Sequence, residues 1–320
     1  MAKPKILIQL DADAHASVFD AVVAVDAGID HLFQYHSVTP EKIRDLVYGA
    51  MFTRGGSDLA STALFIGGSN VAAGEQLLRK AVSCFFGPMR VSVMLDANGA
   101  NTTAAAAVLA AAKHLELSQV QAAVLAGTGP VGQRAVRLLA RAGAKVRLVS
   151  RSLEKAAAAA QGIAATIAGQ SLDTIHPAAA LSNPAAAVAG TMPDVTVDEL
   201  STRIIPRAAT TAEETLDAVD QCDLVIAAGA AGIELLSASV RSRCSALKVA
   251  IDLNAVPPLG IAGVESHDKG ASRDGVIGYG ALGVGGTKMK IHRAAIQRLF
   301  QANDHVLDAE QIFAIGRELG

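Results

Sequence analysis

The stretch AAVLAGTGPVGQRAVRLLARAGAKVRLVSRS, residues 122–152, is the most informative part of the sequence about the fold. It opens with a short apolar run, passes through a glycine-rich turn, continues with apolar residues at helical spacing and ends in a second apolar run. These patterns predict a strand over residues 122–126, a helix over 131–142 and a strand over 145–149. Two strands joined by a helix through short turns form a right-handed βαβ unit with parallel strands.

The glycine-rich turn of this unit has the spacing GxGxxG, in which the three glycines are Gly127, Gly129 and Gly132. In such a turn the first glycine permits a tight bend, the second lets the backbone approach a diphosphate, and the third lets helix and strand pack closely. The N-terminus of the following helix offers backbone N–H groups to the phosphates. The flanking strands and helix favour a dinucleotide site over a purely structural turn. The predicted diphosphate contacts are Gly127, Thr128, Gly129, Pro130 and Val131.

The end of the second strand indicates which dinucleotide binds. An NAD site places Asp or Glu about 20 residues after the glycines, where the carboxylate binds the ribose 2′-hydroxyl. This chain has Ser150, Arg151 and Ser152 there, and a guanidinium pairs with a 2′-phosphate that a carboxylate would repel. We therefore predict NADP as the cofactor. Two alternatives stay open: Arg151 caps a solvated turn, or NAD is accepted as well, since nothing in the motif rejects a 2′-hydroxyl.

Two later strands are expected to complete the cofactor site. Apolar runs at residues 223–228 and 248–252 read as buried strands, and the chain at their ends would pass the adenine-ribose and nicotinamide halves of the dinucleotide. The residues predicted there are Ala228, Gly229 and Asn254.

The first third of the chain alternates strand-length apolar runs with longer alanine-rich segments, a pattern typical of α/β sheets. The predicted strands are residues 5–10, 31–35, 62–66 and 91–95, and the predicted helices are residues 17–27, 39–51, 71–86 and 102–115. We predict a two-lobed α/β protein whose second lobe is a Rossmann-type, doubly wound parallel sheet. The predicted domains are a substrate domain at 1–119, an NADP-binding domain at 120–285, and C-terminal helices at 286–320 that pack back between the lobes.

Two stretches depart from this alternation. Residues 169–211 contain four prolines and no sustained period, so we interpret them as an insertion. Residues 278–286 are dense in glycine and predict a turn before a helix at 287–301.

The composition disfavours several classes of partner. A formal charge of −2, the absence of Trp and an aromatic content of 3% argue against nucleic-acid binding. No apolar run approaches the roughly 18 residues of a membrane helix, and the N-terminal apolar run reaches Asp11 too soon for a signal sequence. We expect a cytoplasmic protein. Its three cysteines lack CxxC spacing, so neither a metal site nor a disulfide framework is predicted.

Carboxylates and amides follow the predicted strands of the first lobe. Asp11 and Asp13 come after the first strand, Asp20 falls early in a helix, and Asp96 and Asn98 follow a later strand. Ligands bind beyond the carboxyl ends of strands in open α/β sheets, so these residues are candidate ligand contacts. For Asp96 and Asn98, capping of the helix that starts near Thr102 is an equally good interpretation.

The whole chain resembles the bacterial NAD(P)-dependent methylenetetrahydromethanopterin dehydrogenases. The blocks that carry the resemblance are SVFD (17–20), TRGG (53–56), MLDANGANTTAAA (94–106), LAGTGPVG (125–132), NAVPPLGI (254–261) and GALGVGGTKMKIHRA (280–294). The resemblance implies a two-lobed enzyme with its active site in the cleft between the lobes. Its reaction would transfer a hydride from methylenetetrahydromethanopterin to NADP, giving the methenyl form and NADPH, in the one-carbon metabolism of methylotrophy. It also implies a homo-oligomer, with a trimer as one arrangement.

The implied chemistry needs no catalytic base, because nitrogen lone pairs expel the hydride from an N–C–N carbon and leave a delocalised cation. The enzyme has to position the substrate and tolerate positive charge. The resemblance moves Phe19 and Asp20 toward the pterin pocket, beside Asp13, Asp96 and Asn98. Lys288 follows the glycine-rich turn at a predicted helix start, where a cation is unfavourable, and we predict a catalytic contact; a solvated lysine is the alternative. His292 receives no role.

Three other functions stay open at this point. One is a methylenetetrahydrofolate dehydrogenase, and another is a different two-lobed NADP-dependent dehydrogenase, which would need a proton relay that no clear motif supplies. The third is an NADP-sensing binding protein that has lost catalysis.

Overall fold

The structure is a computed structural model that describes residues 3–167 and 197–320. The described chain forms two compact units. The first unit comprises residues 3–102 and 289–320, and the second comprises residues 103–167 and 197–288. The divisions fall inside two helices, α4 (Ala100–Ala112) and α10 (Ala281–Arg298). The domain boundaries expected from the sequence, at 119/120 and 285/286, stay predictions.

The strands and helices follow the expected alternation closely. The strands are β1 (Ile6–Leu10), β2 (His31–Tyr35), β3 (Thr62–Ile66), β4 (Ser92–Leu95), β5 (Gln121–Leu125), β6 (Lys145–Ser150), β7 (Ile204–Ala208), β8 (Leu224–Ala227), β9 (Val249–Asp252), β10 (Lys269–Arg273), β11 (Val276–Tyr279) and β12 (Val306–Leu307). The helices besides α4 and α10 are α1 (Val18–Asp26), α2 (Ile43–Phe52), α3 (Val71–Ser83), α5 (Pro130–Arg141), α6 (Leu153–Ile167), α7 (Val197–Arg203), α8 (Ala212–Val219), α9 (Ala238–Arg241) and α11 (Ala309–Glu318).

The first unit is built on a parallel sheet with the strand order β12-β4-β3-β1-β2. Strands β3 and β4 are buried throughout, which explains their continuous apolar runs, because a parallel sheet is covered on both faces. The chain leaves β1 toward β2 and then returns to the other side of β1 to form β3. The switch point therefore lies between β1 and β3, and ligands of such sheets bind at the strands' carboxyl ends there.

The second unit is built on a sheet with the order β10-β11-β9-β8-β5-β6-β7. All pairings are parallel except the edge pairing of β10 with β11. The order from β7 to β11 is that of a Rossmann fold, with its switch point between β5 and β8. The prediction of an α/β protein with a doubly wound second lobe is confirmed.

The interpretation of residues 169–211 as an insertion is wrong for residues 197–208, where α7 and β7 form regular structure. Strand β7 contains Pro206, and a proline normally argues against a strand. It is tolerated here because, among the described residues, β7 lies at the edge of the sheet and pairs only with β6. The remainder of that segment, residues 168–196, lies outside the described residues.

The prediction of a turn over residues 278–286 is also wrong, because α10 already begins at Ala281. A side chain on Gly280 or Gly283 would collide with the backbone of residues 265–268. The same backbone also caps the start of α10, because the carbonyl of Ser266 accepts the N–H of Leu282 at 2.9 Å. Close packing thus overrides the low helix propensity of glycine. The two-residue strand β12 also escaped prediction, since so short a strand has no period.

Candidate functional site

The glycine turn follows β5 in the middle of the second sheet. The N–H of Gly127 donates to the carbonyl of Val149 at 2.8 Å, which ties the turn to β6. A methyl group on Gly127 would lie 2.9 Å from the carbonyl oxygen of Val124, and one on Gly132 would lie 2.8 Å from that of Ala126. The fold itself therefore requires these two glycines.

Gly129 differs from its two neighbours in the motif. A methyl group on Gly129 would meet the carbonyl oxygens of Ala126 and Ala228 at 3.4 and 3.7 Å, which are tolerable contacts. Gly129 is the N-cap of α5, and no side chain caps the helix there. The chain alone does not demand glycine at this position, which is consistent with a bound group approaching the backbone and the first amides of α5.

The other predicted diphosphate residues surround this helix start. Pro130 is exposed at the first helical position, where its fixed φ suits the helix, and Val131 and Thr128 are half-buried. The carbonyl of Thr128 accepts the side-chain N–H of Gln133 at 2.7 Å, which holds the turn against α5.

Ser150, Arg151 and Ser152 lie at the end of β6, as predicted. Arg151 is exposed, so its guanidinium is accessible to a ligand. The Ser152 hydroxyl accepts the N–H of Lys155 at 3.2 Å and thereby caps α6. The Ser152 hydroxyl is thus engaged by the helix, and the Ser150 hydroxyl lies 3.5 Å from that of Thr128 in the glycine turn.

The ends of β8 and β9 complete this edge of the second sheet. Ala228 and Gly229 lie beside the glycine turn, where the N–H of Ala228 donates to the carbonyl of Leu125 at 3.0 Å. Asn254 is 95% buried in its own loop: its amide donates to the carbonyl of Pro258 at 3.0 Å and accepts the N–H of Val256 at 2.9 Å. A contact from Asn254 to a cofactor stays a prediction.

In the first unit, two carboxylates meet at the switch point between β1 and β3. Asp11 is fully buried, and its Oδ2 accepts the N–H of Ser17 at 2.5 Å and the side-chain N–H of Gln9 at 3.1 Å. A methyl group on Gly67 would lie 2.6 Å from Asp11 Oδ1 and 3.0 Å from Asp20 Oδ2. The glycine after β3 therefore leaves the space that both carboxylates occupy.

Asp20 carries a strongly perturbed carboxylate. It lies on α1 and is only 8% exposed. Burial raises the pKa of Asp20 to about 6, the neighbouring carboxylates of Asp96 and Asp11 contribute in the same direction, and His292 and Ser17 oppose the shift. Residues with such shifts concentrate at functional sites, so Asp20 is the strongest candidate of the first unit.

Asp13 and Asn98 link the loops that follow the strands. Asp13 accepts the N–H of Ser69 at 2.7 Å and its hydroxyl at 3.0 Å. Asn98 is exposed, has a left-handed backbone with φ of 55°, and donates its N–H to the carbonyl of Gly68 at 2.6 Å. The loops after β1, β3 and β4 therefore converge, as expected for a ligand-binding edge.

Asp96 is fully buried and caps α4, which was the alternative interpretation of the sequence. Its Oδ1 accepts the N–H groups of Asn101 and Thr102, both at 3.0 Å, and its Oδ2 accepts the Thr102 hydroxyl at 2.7 Å. These bonds engage the carboxylate with the helix, so the contact of Asp96 with substrate stays a prediction without direct geometric support.

Phe19 is exposed on α1, whereas Lys288 is half-buried within α10. Phe19 is 53% exposed on α1, one residue before Asp20. Lys288 is half-buried and lies in the third turn of α10, because the helix begins at Ala281. Lys288 therefore does not stand at the helix start, contrary to the prediction, and its catalytic role rests on the resemblance alone.

No role is predicted for His292, which lies beside Asp96. It is fully buried, its Nδ1 lies 3.9 Å from Asp96 Oδ2, and its ring stacks on that of Phe65 with centroids 5.5 Å apart. It stands one helical turn after Lys288, on the same face of α10. The sequence shows only that His292 follows Lys288 by four residues, whereas its burial is visible only in the structure.

Within residues 3–167 and 197–320, no group of three or more His, Cys, Asp or Glu side chains is arranged to hold a metal ion. No helix in the same ranges is long and apolar enough to cross a membrane.

The chain is similar to known proteins of one family. The protein family described as methylene-tetrahydromethanopterin dehydrogenase, N-terminal, matches residues 18–98. The chain is 42% identical over 317 residues to the bifunctional protein MdtA of Methylorubrum extorquens, covering 98% of this chain and 99% of that one. The chain belongs to the methylenetetrahydromethanopterin dehydrogenase family. This confirms the resemblance read from the sequence blocks.

A second relative and a solved structure extend the comparison. The NAD(P)-dependent methylenetetrahydromethanopterin dehydrogenase of M. extorquens is 28% identical over 323 residues, covering 98% of both chains. The ligand-free 5-ketofructose reductase of Gluconobacter sp. strain CHM43 is similar in structure, with a TM-score of 0.49 and 13% identity over 99% of both chains. The family match at 18–98 includes Phe19, Asp20, Asp96 and Asn98, whereas the glycine turn lies outside it.

Proposed function

We propose that the protein is an oxidoreductase that transfers a hydride between methylenetetrahydromethanopterin and NADP, forming methenyltetrahydromethanopterin and NADPH in one-carbon metabolism. The observation that carries the proposal is the 42% identity to a family member over 98% of the chain. The Rossmann strand order, with a GxGxxG turn at its switch point, supports the cofactor half of the proposal.

In the proposed site, NADP lies along the carboxyl edge of the second sheet. The backbone around Gly129 and the first amides of α5 bind the diphosphate, and Arg151 binds the 2′-phosphate through charge-assisted hydrogen bonds. A relative is named as NAD(P)-dependent, so we propose NADP as the preferred cofactor and NAD as a second one.

The pterin half of the site is proposed at the carboxyl edge of the first sheet. The exposed ring of Phe19 offers a stacking face for the pterin, and Asp13 and Asn98 offer oxygen atoms for its N–H groups. When ionised, Asp20 stabilises the positive charge that develops as the hydride leaves. We propose Lys288 as a contact of the reacting substrate.

No residue needs to remove a proton in this reaction. The hydride leaves with its electron pair, and the two nitrogens of the N–C–N bridge share the resulting charge. The side chains therefore act by position and charge: they orient the methylene carbon toward the nicotinamide and compensate the cation.

The test is to measure initial rates by NADPH absorbance, with methylenetetrahydromethanopterin and methylenetetrahydrofolate each combined with NADP and NAD. We expect the highest kcat/KM for the methanopterin and NADP. Faster turnover of the folate would move the proposal to the alternative substrate. An absence of turnover with both pterins would refute it.

An NADP-sensing protein without catalysis is tested with the same material. Asp20→Ala and Lys288→Ala should bind NADPH like the original chain and lose turnover. The sensor alternative gains support if the original chain binds NADPH and turns over no C1-pterin.

The homo-oligomer, which we propose from the family resemblance, is tested by light scattering during gel filtration. The cytoplasmic location stays a prediction.

A further inference from the structure

Asp252, the last residue of β9, closes the loop that follows this strand. It is 99% buried. Its Oδ1 accepts the N–H of Asn254 at 3.0 Å, and its Oδ2 accepts the N–H of Ile261 at 3.0 Å. One carboxylate thus holds both ends of the loop at residues 253–261.

The interior of this loop is tied down as well. Asn254 bridges Val256 and Pro258 through its side-chain amide. A methyl group on Gly260 would lie 2.7 Å from Asp252 Oδ1, so the loop closes directly onto the carboxylate. The backbone between residues 254 and 260 is therefore held from inside by Asp252 and Asn254.

The loop is also joined to the chain that follows β8. The carbonyl of Gly260 accepts the N–H groups of Leu235 and Leu236 at 2.8 and 3.0 Å. At the base of the loop, the N–H of Leu253 donates to the carbonyl of Ala227 at 3.0 Å. The two loops form one hydrogen-bonded wall at the carboxyl ends of β8 and β9.

The strand order places this wall relative to the proposed cofactor. The glycine turn follows β5, and Arg151 follows β6 on one side of β5. A dinucleotide runs across the switch point with its adenosine over the strand that carries the ribose-binding residue. The nicotinamide half must then extend to the other side of β5, over the ends of β8 and β9.

We infer that Asp252 is a positioning residue for the nicotinamide half of NADP, acting through the backbone of residues 254–260. It does not touch the cofactor in this inference. The two bonds from its carboxylate set the position of the loop, and the loop forms the wall against which the nicotinamide ring rests. The inference rests on the proposed NADP site.

The amide in Asp252→Asn keeps the shape of the carboxylate but has only one oxygen, so one of the two loop ends loses its acceptor. A buried N–H without a partner is unfavourable, so the loop shifts, and we expect NADPH affinity to fall about tenfold, the equivalent of about 1.4 kcal/mol. Affinity for adenosine 2′,5′-bisphosphate, which lacks the nicotinamide half, should not change. The KM for NADP should rise, and the KM for the pterin should not.

Asp223→Asn is the matched control. Asp223 lies in the same unit, where it accepts the N–H of Gln121 at 3.1 Å and pairs with Lys248 at 2.8 Å. It directly precedes β8 and so lies at the amino ends of the strands, away from the proposed cofactor site at their carboxyl ends. We expect this variant to bind both ligands normally. Asn254→Ala is a second variant for the case in which Asp252→Asn does not fold. It loosens the loop without changing β9 and should show the same selective loss.

Equal losses for NADPH and the bisphosphate would overturn the inference, since they would indicate a general disturbance of the unit. The inference also fails if Asp223→Asn reproduces the selective loss, or if a folded Asp252→Asn or Asn254→Ala binds NADPH normally. If the original chain binds neither ligand, the proposed NADP site falls and this inference with it. If it binds both but turns over no pterin, only the proposed substrate falls.

Discussion

The hydroxyl oxygens of Thr128 and Ser150 lie 3.5 Å apart and join the glycine turn to the end of β6. Thr128 belongs to the turn proposed to bind the diphosphate, and Ser150 directly precedes Arg151. A further bond from Gly127 to Val149 holds the same two segments together. The groups proposed to bind the two phosphate positions of NADP are therefore set on one frame, which limits the conformational entropy lost on binding.

Arg151→Asp should change cofactor preference. The guanidinium is lost and a carboxylate repels the 2′-phosphate, so we expect the KM for NADP to rise by about 10–100-fold, as for a lost hydrogen bond to a charged group. The KM for NAD should change far less. The measurement is kcat/KM with both cofactors.

Lys145→Ala is the control for Arg151, because it removes a positive charge from the exposed, opposite end of β6. It should leave both KM values unchanged. Equal effects of Arg151→Asp on NADP and NAD would show that Arg151 does not recognise the 2′-phosphate.

Gly129→Ala and Gly132→Ala should separate binding from folding. The added methyl on Gly132 meets a carbonyl oxygen at 2.8 Å, whereas on Gly129 the nearest contact is 3.4 Å. We expect Gly132→Ala to lower the free energy of unfolding by about 1–3 kcal/mol through overpacking. Gly129→Ala should keep its stability and weaken NADPH binding. Urea denaturation and fluorescence titration measure the two effects, and the prediction is wrong if Gly129→Ala binds NADPH as tightly as the original chain.

Much of the fold could be predicted because its strands are short, buried and separated by amphipathic helices. Strands β2 and β3 lie where the apolar runs placed them, and the βαβ unit around Gly127 was recognised from local pattern alone. The start of α10 could not be found in this way. Its glycines are helical because residues 265–268 pack against them, and local propensity carries no information about that contact.

For the candidate site, the positions that follow strands were predictable, whereas the contacts between distant parts of the chain were not. Asp11, Asp13 and Asp96 follow strands, so their place at the carboxyl edge follows from topology. The approach of His292 to Asp96 joins positions nearly 200 residues apart, and the burial of Asp20 depends on its packing at Gly67. Whether Asp96 caps a helix or faces a ligand depends on where α4 begins, and sequence-derived helix ends are uncertain by one or two residues.

Lys288→Ala should reduce kcat without changing NADPH affinity, if Lys288 contacts the reacting substrate as proposed. Loss of a charged group that acts in the transition state lowers kcat by about 100-fold or more. Lys290→Ala is the matched control, because Lys290 is exposed two residues further along α10. Similar rates for the two variants would remove Lys288 from the proposed site.

Asp20 should reduce the stability of the protein at neutral pH. Its folded-state pKa, about 6, lies above the ordinary value of 3.8. Between these values the folded protein holds a proton that the unfolded chain releases, so the free energy of unfolding falls as pH rises through this window. Two pKa units correspond to about 3 kcal/mol, reached in full above about pH 6. Asp20→Asn should therefore be more stable than the original chain at about pH 7.5 and similar to it at about pH 4, in urea denaturation.

The ionised carboxylate of Asp20, which lowers stability, should increase the rate of oxidation. Only ionised Asp20 compensates the methenyl cation, so kcat/KM for oxidation should rise with pH through about 6. Asp20→Asn should be slower and should lack this rise, although it is the more stable protein. Asp26→Asn, which changes an exposed carboxylate at the end of the same helix, should alter neither stability nor the pH profile. A profile for Asp20→Asn that still rises through about pH 6 would assign the titration to another group, and Asp11, whose pKa is also raised by burial, would be the next residue to change.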